Sequence, residues 1–323
     1  MKNTDIAMGL IRVTESATLQ CSEYLGKGDA CTLEKVAVDG ARHAFNLLPL
    51  KGKIVIGECD MKKLPIIYSG EKVGMWDDGQ EKVDVIIDPV DGPQLVAKGR
   101  ENAISAIALT ETGGIIKLPK VYMKKIAVGP MAKDAIDINL SLTENISRVS
   151  KALDKDVSEI TIMILDRPRH EDIIKEARDA GVRVKVFAEG DIAAALATAF
   201  EFTGIDMLVG SGGAPEGILA AAALKCIGGG LQCKLLPQDE NEINICKRAG
   251  ITDINKVLTQ DDLILSDNVY FAATAITSCE VLKGVRYEEH KAITQSLVMR
   301  SLNGTIRFVE ATHNLDKTML KLN

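Results

Sequence analysis

Apolar residues recur at helical spacing at Ile6, Leu10, Val13, Ala17, Leu19 and Leu25, which predicts a first helix ending at Gly26 and Gly28. A second helix is predicted from near Thr32 to about Leu47, with Thr32 as its N-cap and Glu34 in its first turn. Strand character follows twice. Ile54-Val55-Ile56 runs into Gly57-Glu58-Cys59-Asp60, and the longer run from Val83 to Ile87 runs into Asp88-Pro89-Val90-Asp91-Gly92-Pro93. Ala103 to Thr110 reads as another strand, and Gly113-Gly114 as a hairpin turn into Ile115-Ile116. Tyr122-Met123-Lys124-Lys125 lies in an extended stretch. Residues 141 to 155 show a helical face of Leu142, Ile146, Val149 and Leu153, with Thr143 as the predicted cap.

From Glu159 the pattern becomes strand, helix, strand, helix. Thr161 to Leu165, Val182 to Phe187 and Met207 to Val209 read as strands. Glu171 to Ala180, Ile192 to Phe202 and an Ala-rich run to Cys226 read as helices. Such alternation predicts a parallel α/β unit with helices on the sheet faces. The change of texture places a boundary at 155/156, giving an α+β part over 1–155 and an α/β part over 156–323. Residues 237 to 262 are polar and read as a solvated helix and loop. Val269 to Ala275 is a strand, and Ile293 to Met299 and Gly304 to Glu310 form a strand pair joined at Asn303-Gly304.

Composition narrows the class. The 323 residues are 46% hydrophobic and 26% charged, as in ordinary soluble proteins. The net charge of −6 argues against a partner that is nucleic acid or an anionic membrane. No apolar run reaches the length of a membrane span, and the N-terminal residues carry no signal-peptide pattern. Seven cysteines without a Cys-x-x-Cys pair read as reduced thiols, and the expected compartment is cytoplasmic.

The candidate chemistry sits at strand ends. Pro89 biases Asp88 towards extended backbone, and Gly92 supplies the freedom of a sharp turn, so the strand should end by presenting Asp88 and Asp91 together. Carboxylates are hard ligands that suit Mg²⁺ or Mn²⁺. An acidic surface turn has the same local sequence, and so does the acidic end of the shorter strand. In the α/β part, ligands sit at the carboxyl ends of strands. There stand Asp166-Arg167-Pro168-Arg169-His170, then Glu189-Gly190-Asp191, then Ser211-Gly212-Gly213-Ala214-Pro215-Glu216-Gly217. Arginine matches phosphate with a planar fork of donors. The Gly-rich segment opens a helix but is neither a Walker loop nor a dinucleotide fingerprint. Glu216 reads equally as a metal ligand or as an acid favoured at a helix N-terminus.

Taken together these segments resemble the class II fructose-1,6-bisphosphatases of bacteria over nearly the whole chain. The resemblance is carried by Arg12-Val13-Thr14-Glu15-Ser16-Ala17, Ile54-Val55-Ile56-Gly57-Glu58, Asp88-Pro89-Val90-Asp91-Gly92, Tyr122-Met123-Lys124-Lys125, Arg167-Pro168-Arg169-His170, Gly190-Asp191 and Gly212-Gly213-Ala214-Pro215-Glu216-Gly217. The Asp-Pro-Val-Asp-Gly core is similar to the wider lithium-sensitive, metal-dependent sugar phosphatases. The resemblance implies a layered αβαβα fold, with a metal-binding first domain and a substrate-binding second domain. It implies Mn²⁺ or Mg²⁺ held by Glu34, Glu58, Asp88, Asp91 and Glu216, and sugar-phosphate contacts from Tyr122, Arg167, Arg169 and Asp191. It further implies hydrolysis of the 1-phosphate of fructose 1,6-bisphosphate, in gluconeogenesis, by a homodimer or homotetramer.

Several positions depart from the family pattern. Pro93 stands where the family has a threonine whose hydroxyl, with a nearby carboxylate, acts on the attacking water. Proline has neither hydroxyl nor N–H. Asp60 replaces a glutamate, Glu34 an aspartate, Ala30 and Cys31 a lysine and an asparagine, and Ala275 a glycine. Asp60, Asp91 and the Pro93 position are thus the catalytic candidates. Changes confined to this edge, with the basic side kept, frame two alternatives: a sugar-phosphate-binding relative with a regulatory role, or a phosphatase for sedoheptulose bisphosphate or an inositol phosphate.

Overall fold

The computed structural model describes residues 5–57 and 67–316. Two compact units divide the chain, one of residues 1–115 with 266–323 and one of residues 116–265. The expected division at 155/156 is corrected accordingly. The chain leaves the first unit some 40 residues earlier than the change of texture suggested, and its last strands return to that unit. The α/β class holds in both units.

In the first unit the chain forms α1 (Asp5–Ser22), α2 (Ala30–Phe45), β1 (Lys51–Ile56), β2 (Lys72–Val73), β3 (Lys82–Asp91), α3 (Pro93–Ala97) and β4 (Ile104–Glu111). The second unit holds β5 (Tyr122–Val128), α4 (Leu142–Leu153), β6 (Thr161–Leu165), α5 (Glu171–Asp179), β7 (Arg183–Phe187), α6 (Asp191–Ala197), β8 (Met207–Gly213), α7 (Ala214–Ile227), β9 (Gly230–Leu236), α8 (Glu240–Arg248), β10 (Leu258–Thr259) and α9 (Gln260–Leu263). Back in the first unit come β11 (Tyr270–Ala275), β12 (Arg286–Glu288), β13 (Lys291–Arg300) and β14 (Thr305–Asn314).

The first unit is a sheet in the order β12-β13-β11-β4-β3-β1-β2, with β14 paired to β13. Helix α1 packs on β11, β13, β4 and β3, and α2 packs on α1. Alternate residues of strands buried on both faces read as continuous apolar runs, which is why Val85-Ile86-Ile87 and Ile104 to Leu109 show no period of two. Buried hydroxyls lock the helix to the sheet: Thr14 Oγ1 lies 2.7 Å from Thr274 Oγ1, which lies 2.8 Å from Ser296 Oγ.

The second unit is a mixed sheet in the order β10-β9-β5-β8-β6-β7. Strands β7, β6 and β8 are parallel, as the alternation predicted, but β5 runs antiparallel to both β8 and β9. One face is covered by α4 and α5, whose Leu142, Ile146, Val149, Ile174 and Ala177 bury against Ile126, Val128, Ile162, Ile164, Met207 and Val209. Met123 and Lys125 alternate to the other face, where α7 packs.

Several element ends move. The first turn of α2 begins at Ala30, because Asp29 is the N-cap and accepts from Thr32 N–H at 3.0 Å. Thr32 is therefore not the cap, and Glu34 lies in the second turn. Ser141, not Thr143, caps α4, through a reciprocal box with Glu144. Helix α6 stops at Ala197 rather than Phe202. The Gly113-Gly114 turn closes no hairpin: Gly114 N–H returns to Glu111, and Ile116 N–H bonds Leu263 in the second unit. Among the described residues no helix is long and apolar enough to cross a membrane.

Candidate functional site

Strand β3 does not end before its acids. It runs through Asp88 and Asp91, with the partner register slipping from Asp88↔Ala106 to Asp91↔Ile104. Pro89 and Val90 of β3 therefore face the single Ser105 of β4, which is a β-bulge. Pro89 falls inside it, where a missing N–H leaves the ladder intact on either side. The Asp88 Oδ1 accepts from Val90 N–H at 3.1 Å, which fixes the bulge from within. Gly92 then adopts φ 92°, ψ 56°, a left-handed conformation, and caps α3. Pro93 is the first residue of that helix, the position where its fixed φ fits and its absent N–H is harmless. The proline is thus well accommodated by the backbone, and it brings no hydroxyl.

The neighbouring segments converge on this turn. Gly26 N–H and Gly28 N–H donate to the Val96 and Ala97 carbonyls, each at 2.9 Å, so the α1–α2 connection rests on α3. The strand β1 is parallel to β3, with Ile56 opposite Ile86, so it leads its chain to the same end of the sheet. Glu58 and Asp60 lie outside the described residues. Glu34 is half-buried on α2 with no hydrogen-bond or ion-pair partner among the described residues, and burial raises its carboxyl above the ordinary 4.5. Asp91 is buried and Asp88 partly so. Among the described residues no three His, Cys, Asp or Glu side chains gather as a ready metal site.

In the second unit the site forms at the carboxyl ends of β6 and β8. The chain steps from β6 to β7 on one side and then to β8 on the other. That reversal of strand order is where open α/β sheets bind ligands. Arg169 is held there twice: its Nε donates to Ser211 Oγ at 3.0 Å and its Nη2 to the Ser211 carbonyl at 2.8 Å. Its guanidinium lies 5.0 Å from the centre of the Tyr122 ring. Tyr122, 42% exposed, presents the ring's other surroundings to solvent. Arg167 donates to Glu189 Oε1 at 3.4 Å and to the Asp166 carbonyl at 3.2 Å.

His170 is a brace. A carbonyl cannot donate, so Nδ1 carries the proton and donates to Leu165 O at 2.8 Å. That leaves Nε2 as acceptor for Ser211, whose N–H and Oγ both lie 2.9 Å away. Burial holds the imidazole below its ordinary 6.5, against the Leu165 carbonyl and with help from the Arg169 charge. The neutral ring therefore orients Ser211, which orients Arg169.

Asp191, first residue of α6, ion-pairs with Lys125. The Gly-rich segment is strand and then helix: β8 runs to Gly213, with Met123 opposite Gly212 and Tyr122 opposite Gly213, and α7 starts at Ala214. Gly212 is glycine for space. A Cβ there would overlap the Asp191 carboxylate and stand 2.8 Å from Lys125 Nζ. Glu216 is the third residue of α7, and its Oε2 is buried with no hydrogen-bond partner among the described residues.

Of the residues singled out from sequence, Tyr122, Arg167, Arg169, Asp191 and Glu216 all fall at this strand end. Asp88, Asp91 and Pro93 fall together on the β3 turn. Three members of the network were not foreseen: Lys125, Ser211 and Gly212. The sign of Lys125 was available, since it occupies the same strand face as Met123 and Ala127, both fully buried.

The fold and the geometry define a class: an α/β protein with an arginine-bearing candidate site at the switch point of its second sheet. A protein-family model described as bacterial fructose-1,6-bisphosphatase, glpX-encoded, matches residues 4–313. A protein of Synechococcus sp. (strain JA-2-3B'a(2-13)) named D-fructose 1,6-bisphosphatase class 2/sedoheptulose 1,7-bisphosphatase is 37% identical over 333 residues, covering 96% of each chain. One of the same name from Trichodesmium erythraeum (strain IMS101) is 37% identical over 335 residues, covering 97% of each. The chain belongs to the family of bacterial fructose-1,6-bisphosphatases encoded by glpX.

Proposed function

We propose that this chain hydrolyses the 1-phosphate of fructose 1,6-bisphosphate with the aid of Mn²⁺ or Mg²⁺, and that sedoheptulose 1,7-bisphosphate is a second substrate. The names of the relatives support both substrates. One observation in the structure carries the reading. A guanidinium fixed by Ser211 and set over the Tyr122 ring shares its strand end with a buried Glu216 oxygen that has no hydrogen-bond partner among the described residues. Buried carboxylate oxygens are otherwise nearly always paired, so the orphan fits a cation. The ligands proposed are the ones the family resemblance implies, Glu34, Glu58, Asp88, Asp91 and Glu216.

A bound divalent ion supplies neutralisation of phosphate charge and a water of lowered pKa. The chain's own groups do the rest. Arg169 offers its remaining donors to phosphate oxygens, at an orientation set by Ser211 and His170. Arg167, braced on Glu189, adds a second guanidinium. Asp191 accepts from sugar hydroxyls. Pre-set donors of this kind lose little freedom on binding.

A second reading is favoured by Pro93. At the first position of α3 it supplies neither hydroxyl nor N–H beside Asp91. A chain with an intact basic side and this substitution binds sugar phosphate and turns it over slowly or not at all. The experiment is phosphate release from fructose 1,6-bisphosphate with Mn²⁺ or Mg²⁺, wild type beside Pro93→Thr. Brisk wild-type turnover supports the enzyme and shows that its water is activated without that hydroxyl. A silent wild type with an active Pro93→Thr supports the binder. Silence in both, with no sugar phosphate bound, sinks both readings.

A further inference from the structure

Lys125 is the one buried cation of the second unit that the proposed chemistry leaves without a task. It lies on central strand β5, with only 4% of its side chain exposed. Gly210 and Cys233 are its neighbours across the sheet. The surroundings on its face are apolar or small: Met123 and Ala127 on its own strand, Gly217 of α7, and the Cys233 thiol, whose pKa burial pushes up to about 12. An unbranched apolar residue such as methionine suits that space. A buried ammonium is costly to desolvate, and well-packed apolar residues in place of a buried ion pair are often as stable or more so. Packing alone does not account for a lysine there.

The charged groups around it do. Asp191, at the start of α6, pairs with its Nζ. The Glu216 carboxylate, in the first turn of α7, is near enough to favour its charge as well. Desolvation opposes that charge, and the two carboxylates outweigh it, so the ammonium is held charged. One cation therefore stands among two acids delivered by the first turns of two different helices. The space over Gly212 is what lets the pair close, because any side chain there would displace the Asp191 carboxylate.

We infer that Lys125 is a positioning residue of the sugar-phosphate site, whose ammonium holds the Asp191 carboxylate where a sugar hydroxyl reaches it. The inference rests on the function proposed above. Without the ammonium the Asp191 carboxylate loses its ion-pair partner and is no longer held in one place. Binding of the sugar suffers first, and the phosphoryl-transfer step less.

The test uses the full chain as wild type, Lys125→Met, Lys125→Arg, Asp191→Asn and the double variant Lys125→Met with Asp191→Asn. Steady-state phosphate release from fructose 1,6-bisphosphate is measured beside calorimetric binding of fructose 6-phosphate, and the melting temperature of each variant confirms folding. The expected result is a KM and a fructose 6-phosphate Kd raised about tenfold or more in Lys125→Met, on the scale of one charge-assisted hydrogen bond. The change in kcat is smaller. Lys125→Arg recovers part of the loss, and the double variant is no weaker than Asp191→Asn alone. A folded Lys125→Met with wild-type KM and Kd overturns the inference, as does a double variant whose losses add. Wild type that binds no fructose 6-phosphate instead overturns the proposed function, and the inference falls with it. The two failures are separated by which protein first loses the ligand.

Discussion

The acidic turn of the first unit and the strand end of the second solve opposite problems. On β3 the carboxylates are aimed by the backbone: a bulge around Pro89, an Asp88 bond to Val90 N–H, a left-handed Gly92 and a proline-started helix. In the second unit the functional groups are aimed by one another. Arg169 is set by Ser211, Ser211 by His170, His170 by the Leu165 carbonyl, and Asp191 by Lys125. Backbone aiming tolerates change in a side chain, since the turn survives it. Side-chain aiming propagates any change through the network. The departure from the family pattern at Pro93 lies on the first kind of surface, where the fold can absorb it.

That contrast can be broken in four places. The largest effect on rate is expected from Asp91→Asn, with kcat/KM for fructose 1,6-bisphosphate falling by about a hundredfold or more while the melting temperature stays close to wild type. A collapse of stability instead would show that the turn depends on its carboxylates. Gly212→Ala should do the reverse. Overpacking at such a site costs about 1–3 kcal/mol, and fructose 6-phosphate binding should weaken with it, because Asp191 and Lys125 are both displaced. Unchanged binding would mean the ion pair has room to spare.

The third test is pH. Burial holds the folded His170 below its ordinary 6.5, so its contribution to stability is in place above about pH 6.5 and is lost as pH falls towards the folded value. Glu15 on α1 has the opposite sign. Burial raises it above 4.5, against the Thr294 hydrogen bond and the Arg12 charge, so its contribution is in place below about pH 4.5 and is lost as pH rises through the folded value. Melting curves from pH 4 to 8 should therefore lose their steep acid limb in His170→Gln, and gain stability at neutral pH in Glu15→Gln. An acid limb that persists in His170→Gln assigns it to another group. The smallest effect is a control away from both surfaces. Ser141→Ala removes the α4 cap and should cost about 1 kcal/mol by denaturant unfolding, with KM unchanged.

Local chemistry was legible in the chain because proline, glycine and paired acids act within a few residues. The β3 turn, the Arg167-Pro168-Arg169-His170 strand end and the β6 boundaries follow from such signals. Long-range pairing was not legible. Nothing near Val269 announces that β11 lies beside β4, some 160 residues earlier, so the unit boundary was misplaced. The Gly212-Gly213 stretch reads as loop because glycine disfavours strands. Its reason is a carboxylate and an ammonium contributed by two other elements, which no local pattern contains. Glu58 and Asp60 lie outside the described residues.

The register of β11 on β4 has a further consequence. Tyr270 pairs with Leu109 and Ala275 with Ile104, which is the pairing of an ordinary hairpin. Its connecting loop is the whole second unit, residues 116–265. Loop-closure entropy grows only slowly with length, so the equilibrium penalty of so large an insertion is small. The timing is what changes. During synthesis the second unit emerges entire before β11, β13 and β14 exist, and it can fold while the first sheet still lacks the strands beyond β4. The last-made third of the first unit then completes a sheet begun by the first-made two thirds, so a ribosome that stalls near residue 265 leaves β4 with an open edge.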